Sequence, residues 1–326
     1  MTNFDIKQAT NKEIIDAFFL VVSVTQEQTK TDNPKPFLNI VLANKHNEIN
    51  CKLWDNSADD FDFFSTNSII KVRAEVNEYR GNKQLIIKKY REEYGLDISE
   101  FIPTTHIHIE DEYNHILSVI NDFENDTLRT ICKMLIIDNA SDIKKIGAAK
   151  VHHHSIVGGW LEHTSTMLKN GIALITSYNN NINKELLLAG IILHDIGKLR
   201  EFKYNQYGVI ENYTMQGELL GHITIGVSMI TECMIRLRYE TRKQFDENIV
   251  ILLQHLLLTH HGQPEYGSPK YPMTKEAELL SYLDMLDTKM NMFDKVISET
   301  NENEFSQRQW ALDNRNNFIE HIHFCI

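Results

Sequence analysis

His194 and Asp195, adjacent in Leu193-His194-Asp195-Ile196-Gly197-Lys198, can bind a divalent cation together. Imidazole nitrogen suits borderline metals, and a carboxylate has two oxygens with which to bridge two ions. The pair ends an apolar run of helical length, Leu186 to Leu193, so two strongly polar groups emerge from a segment that must be buried. Leaving them unpaired in an interior is costly, and a metal is the natural compensation. Nine of the fifteen histidines fall between positions 152 and 261 and bracket the pair.

The other candidate ligands are spread over separate segments. His163 follows Gly158-Gly159-Trp160-Leu161-Glu162, and His222 stands in Gly221-His222-Ile223. His260 and His261 close an apolar stretch before Gly262, and Asp284 and Asp287 share one helical face three residues apart. Each has an ordinary alternative. His163 or His222 alone suits a core or cap position, His260-His261 suits a helix C-terminus, and Asp284 could pair with Lys289. The ordered series of His163, His194-Asp195, His222, His260-His261 and Asp284 selects a metal site for two cations inside a helical bundle. Paired divalent ions match hard phosphate oxygens: they offset charge and activate water for an in-line displacement. Asp195 is the candidate bridge and catalytic residue. Lys198, one turn after His194, either reaches a phosphate or pairs with an acidic neighbour. His153 and His154, in the His152-His153-His154 run, are candidate phosphate contacts, with loop histidines as the alternative. Gly262, Pro264, Gly267, Pro269 and Pro272 mark a fixed loop able to wall the site.

Two kinds of periodicity divide the chain. Residues 12–91 alternate with strand period in Ile14–Val24, Phe37–Ala43, Glu48–Trp54, Ser68–Val76 and Gln84–Lys89, broken by Asn, Asp, Pro and Gly turns. Five strands in about 80 residues suit a small closed barrel, of which the oligonucleotide-binding (OB) fold is the common five-stranded case. From Glu110 the apolar spacing becomes helical, around 112–124, 127–138, 160–177, 184–197, 219–238, 246–259 and 275–297. The expected organisation is therefore multidomain: an all-β barrel over 1–95, a linker over 96–110, an all-α bundle over 111–300 and a C-terminal extension over 301–326.

The net charge of −12 is unevenly placed. Residues 1–95 carry 13 Lys+Arg against 14 Asp+Glu, and residues 96–326 carry 20 against 31. The acidity lies in the half with the His/Asp series, where bound cations would offset it. It disfavours charge-driven binding of duplex DNA but leaves room for a local single-strand groove on the barrel. Candidates there are Phe37, Trp54, Arg73, Tyr79, Arg80 and Lys83. Barrel core is the competing role for Phe37 and Trp54, and Tyr79-Arg80 at a turn is the best exposed contact. Four scattered cysteines without a CxxC pair fit a reducing cytoplasm. No stretch approaches the roughly 18 apolar residues of a membrane span, so no membrane partner is expected.

The longer strings resemble a known family. Gly-Gly-Trp-Leu-Glu-His-Thr at 158–164, His-Asp-Ile-Gly-Lys at 194–198, Gly-Glu-Leu-Leu-Gly-His-Ile at 217–223 and Thr-His-His-Gly at 259–262 look like the YhaM-type 3′→5′ exoribonucleases of the HD-domain phosphohydrolase superfamily. So do Glu-Ala-Glu-Leu-Leu-Ser-Tyr-Leu-Asp-Met-Leu-Asp at 276–287 and, in the first half, Tyr-Arg-Gly-Asn-Lys-Gln-Leu at 79–85. Trp160 stands where the family more often has Leu, and Thr259 where Ser is common; neither change removes a ligand. The resemblance implies an N-terminal OB-fold barrel, an HD-domain bundle and stepwise 3′→5′ hydrolysis of single-stranded RNA, with DNA as a further substrate. It implies manganese as the usual metal, with two ions held by His163, His194, Asp195, His222, His260 or His261, and Asp284, and Asp287 behind them. Two other functions compete: a phosphodiesterase or phosphatase for small or cyclic nucleotides, and a single-strand-binding accessory protein with an idle site. A homo-oligomer is a further expectation from the apolar helical half.

Overall fold

The computed structural model describes residues 4–320 except 7, 30–32, 45–47, 55–57, 65–67, 80, 97–99, 102–104, 106, 148–156, 179–180, 206–207, 243 and 310–311. The chain divides into two compact units, 1–104 and 105–326, and the division falls within the stretch expected to be a linker.

The first unit is a closed five-stranded, OB-like barrel. Its strands are β1 (Ile14–Gln28), β2 (Pro36–Ala43), β3 (Glu48–Leu53), β4 (Ile69–Tyr79) and β5 (Asn82–Glu92). They close in the order β1-β2-β3-β5-β4, with β4 returning to β1. Among the described residues, β3 and β5 pair in parallel and the other neighbouring strands of the barrel antiparallel. Alternation sets which side faces in: Ile15, Ala17, Phe19 and Val21 of β1 and Ile70, Val72, Ala74 and Val76 of β4 are all buried in the barrel core. A short helix, α1 (Ala58–Phe64), follows β3 and adds Phe64 to that core. Its seven residues are too few for a helical period to stand out in sequence.

The second unit is helical: α2 (Ile109–Asn121), α3 (Asp126–Asp138), α4 (Ala140–Ile143), α5 (Gly159–Ile175), α6 (Lys184–Leu193), α7 (Lys198–Glu201), α8 (Met215–Thr241), α9 (Glu247–Thr259) and α10 (Lys275–Glu299). α6 is central. Its residues Leu186 to Leu193 are all buried, and it packs against α3, α5, α9 and α10. A helix apolar on every side must be enclosed by neighbours. Four site helices begin on side-chain caps: Asn183, Thr214, Asp246 and Thr274 accept first-turn N–H groups of α6, α8, α9 and α10.

Three features depart from the helical reading. The apolar window over 184–197 is not helical throughout: α6 ends at Leu193, and His194–Gly197 form a turn that leads into α7. A small hairpin, β6 (Phe202–Tyr204) with β7 (Ile210–Tyr213), separates α7 from α8. Residues after α10 fold back: Phe305 bridges Phe318, and Leu312 and Ile319 pack with Val296 of α10. By length and composition α8 could cross a bilayer, contrary to the expectation that no run approaches that length; Gly221 interrupts its ladder, and Ile225, Met229 and Ile230 join the helical core.

Candidate metal centre

The turn at the end of α6 delivers His194 and Asp195 to the middle of the bundle, with side chains only 0% and 2% exposed. Trp160, fully buried on α5, donates its indole N–H to the Asp195 carbonyl at 3.0 Å and fixes that turn. Gly197 has a packing reason. A Cβ there would overlap the His222 carbonyl oxygen and the Gly226 amide, so α8 approaches the turn only because position 197 lacks a side chain. At Gly221 the backbone takes φ 68°, ψ 157°, and this break in α8 sits immediately before His222.

Two groups form around Asp195. One ligand atom each from His163, His194 and Asp195 lie within 4.8 Å of one another, and so do one each from His222, His260 and His261. Asp195 addresses both groups with different oxygens. Its Oδ2 is 3.3 Å from His194 Nε2 and 3.8 Å from His163 Nε2. Its Oδ1 is 3.6 Å from His222 Nε2 and 3.8 Å from His260 Nε2. Asp284 Oδ1 joins the first group at 3.3 Å from His163 Nε2. The alternative partner, Lys289, faces Asp313 instead.

Each of the five histidines is tied at Nδ1. His194 bonds the Ile191 carbonyl at 2.8 Å, His260 the Leu257 carbonyl at 2.7 Å and His261 the Tyr266 carbonyl at 2.9 Å. His163 meets Asp287 Oδ2 at 2.6 Å, and His222 meets Glu201 Oε1 at 3.2 Å. Such contacts orient a ring and hold its Nε2 ready as an electron-pair donor. Sequence reasoning missed Glu201. A buried acid one turn after Lys198 needs a partner, but no local pattern points to His222, 21 residues on.

Electrostatics follow from this crowding. Burial works to raise the Asp195 carboxyl, yet Lys198, with Nζ 2.7 Å from Oδ2, and His194 hold it well below the usual carboxylate range. Burial likewise opposes ionisation of Asp284, and His163 outweighs it. Burial alone would depress His163, but Asp284 and Asp287 raise it to about 9. His260 is pushed well below its ordinary value by burial and by the neighbouring His261 and His194. A neutral imidazole is the form that ligates a metal.

Asp195 Oδ1, His222 Nε2 and His260 Nε2 are buried, face one another and have no hydrogen-bond partner. Native interiors rarely leave such groups unsatisfied. A divalent cation among N and O donors satisfies all three at once, so the residues fit a metal.

The remaining candidates are more scattered. His152, His153, His154 and Arg80 lie outside the described residues. On the barrel, the Phe37 and Trp54 rings are 4.8 Å apart; Phe37 is buried and Trp54 exposed. Lys52 Nζ lies 4.5 Å from the Phe37 centroid and 5.5 Å from that of Trp54, a cation–π contact the sequence did not suggest. Tyr79 is exposed, Arg73 is 3.9 Å from Asp16, and Lys83 donates to the Ala9 carbonyl at 2.8 Å.

Comparison with known proteins agrees with this architecture. The HD domain family matches residues 160–289, which span every candidate ligand of the centre. A protein of Geobacillus sp. (strain WCH70) named 3'-5' exoribonuclease YhaM is 37% identical over 306 residues, 93% of this chain and 91% of the relative. Proteins of the same name from Listeria monocytogenes (strain F2365) and Bacillus subtilis (strain 168) are 37% and 35% identical, covering 93% and 95% of this chain and 94% and 96% of their own. With end-to-end similarity at this level, and an OB-like barrel ahead of an HD domain, the chain belongs to the family of the 3'-5' exoribonuclease YhaM proteins.

Proposed function

We propose that this protein is a metal-dependent 3′→5′ exoribonuclease that hydrolyses single-stranded RNA from its 3′ end, with single-stranded DNA as a second substrate. One observation carries the chemistry: Asp195 presents one oxygen to each of two ligand groups. Two Mn²⁺ ions are the proposed cofactor. His163, His194, Asp195 and Asp284 would hold one, and Asp195, His222, His260 and His261 the other. When bound, such a pair supplies charge neutralisation for the phosphate and acidifies water for attack on it.

The chain's own residues do the positioning. Asp195 spaces the two ligand groups through its two oxygens, and the Nδ1 contacts keep five imidazoles from rotating. Lys198, whose side chain is 12% exposed and paired with Asp195, offsets the carboxylate and stands within reach of a phosphate oxygen. The barrel is assigned the second grip on the strand. Trp54 and Tyr79 offer faces for bases, and a grip of this kind favours a polymer over a small nucleotide. The free, buried thiols of Cys51, Cys132 and Cys233 support a reducing, cytoplasmic setting.

The test is purified protein on 5′-labelled single-stranded RNA and matched DNA, with Mn²⁺ and with EDTA. A metal-dependent ladder shortening from the 3′ end is expected. Intact RNA alongside hydrolysis of cyclic nucleotides would transfer the assignment to a small-nucleotide phosphodiesterase. Binding without any hydrolysis would transfer it to an accessory protein.

A further inference from the structure

A cavity of about 460 Å³ opens beside the His222–His260–His261 group, within the range of roughly 300–1,000 Å³ typical of small-molecule sites. Its lining includes the polar His222, His261 and Glu201 and the apolar or aromatic Leu220, Tyr266 and Pro269. Leu220 and Tyr266 are 49% and 59% exposed. Large apolar surface left in water beside a charged centre suits a ligand with one apolar face and one anionic end.

We propose that this cavity receives the 3′-terminal nucleoside of the RNA, with Tyr266 as the stacking face for its base. The proposal rests on the exoribonuclease assignment and adds the residue that seats the nucleotide about to be released. Tyr266 is placed by the centre itself. Its carbonyl accepts the His261 Nδ1–H at 2.9 Å, and its N–H bonds the Gln263 carbonyl at 3.0 Å. Gly267, at φ 99°, closes the turn with an N–H to the Pro264 carbonyl at 2.9 Å. The residue that fixes a candidate ligand through its backbone therefore also lines the cavity. An aromatic face accepts any base, as an enzyme that removes successive nucleotides requires. The cavity's size suits one nucleotide, in keeping with release of one residue per cut.

The test compares metal-loaded protein on two RNA oligonucleotides whose last linkage is a non-cleavable phosphonate: one intact, one lacking the 3′-terminal base. Wild type should bind the intact strand about tenfold more tightly, the scale of one base stacked on an aromatic ring. Tyr266→Ala should bind both strands equally, and Tyr266→Phe should restore the difference. On cleavable RNA, Tyr266→Ala should raise KM about tenfold with kcat little changed. Thermal melting checks that the variants fold; if Tyr266→Ala does not, Leu220→Ala, expected to narrow the difference, takes its place. Equal binding of the two strands by wild type, or an undiminished difference in the folded variant, overturns the proposal. Failure of wild type to shorten any RNA would instead overturn the exoribonuclease assignment, and that control is read separately.

Discussion

One oxygen of Glu201, Oε1, accepts both the backbone N–H of His222 at 2.9 Å and its ring Nδ1–H at 3.2 Å. The carboxylate sets where the ring stands and which nitrogen points inward. Glu201→Ala should therefore lower metal affinity or activity by about 10–100-fold, the usual effect of losing a group that orients a metal-bound histidine. Titration calorimetry with Mn²⁺ measures it. Unchanged affinity in a variant that melts like wild type would remove Glu201 from the machinery.

His194→Ala and Asp195→Asn separate chemistry from strand binding. Asp195 addresses both ligand groups with its two oxygens, so its neutralisation should reduce hydrolysis by at least about a thousandfold, as expected for a group acting as a unit with its neighbours. Affinity for single-stranded RNA should stay within about twofold if the barrel supplies the second grip proposed for it. Hydrolysis at wild-type rate in either variant would place the chemistry elsewhere.

The protonated His163 between Asp284 and Asp287 gives the metal-free protein a characteristic response to pH. Its folded-state pKa is raised from 6.5 to about 9. The stability it contributes is fully present below pH 6.5 and is lost as pH rises through about 9. Asp195 and Asp284, both depressed, act on the other side: their contribution is present above the ordinary carboxylate value and is lost in acid. Metal-stripped protein should thus melt at progressively lower temperature from pH 6.5 towards about 9. The increase in Tm on adding metal should grow over the same interval, because ligation requires the Nε2 proton to leave. Calorimetric scans with and without metal give both trends, and a metal-induced gain that shrinks with rising pH would contradict this account.

Much of the candidate centre was legible because its candidate ligands follow one another along the chain with strong local signals. The apolar run Leu186–Leu193 announces a buried helix, and a His-Asp pair at its end is costly to bury unless a cation joins it. The barrel was legible through alternation, since Ile70, Val72, Ala74 and Val76 mark one face without interruption. What escaped were pairings set by the fold alone. Glu201 meets His222 only because α7 and α8 pack together, and Lys52 stacks on Phe37 because it stands across the sheet from Asn39, near the β2 start. The β6–β7 hairpin was hidden because its strands of three and four residues are too short to show a period.

Gly197 tests whether the approach of α8 to the His-Asp turn is as tight as the geometry implies. Gly197→Ala would drive a Cβ into the His222 carbonyl and the Gly226 amide, backbone atoms that cannot rotate away. The cost should be at least about 1–3 kcal/mol, as for overpacking elsewhere in cores. Displacing His222 should also weaken metal binding. Denaturant unfolding of the variant measures the first effect and Mn²⁺ titration the second. A variant as stable as wild type, with unaltered Mn²⁺ affinity, would mean that α8 can shift freely.

Trp54 tests the barrel's assigned role. It is exposed, it leans on the buried Phe37, and Lys52 lies over the pair, so an aromatic face and a cation stand together at the end of β3. A stacked base and a nearby phosphate would use both. Trp54→Ala should weaken binding of single-stranded RNA by about 1–3 kcal/mol, seen as a higher KM with kcat unchanged. Lys52→Met should do less at high salt than at low, because its share is electrostatic and screened. Fluorescence anisotropy at two ionic strengths distinguishes them. If Trp54→Ala binds RNA as wild type does while retaining its fold, the strand must run over another face of the barrel, where exposed Tyr79 at the end of β4 becomes the next residue to change.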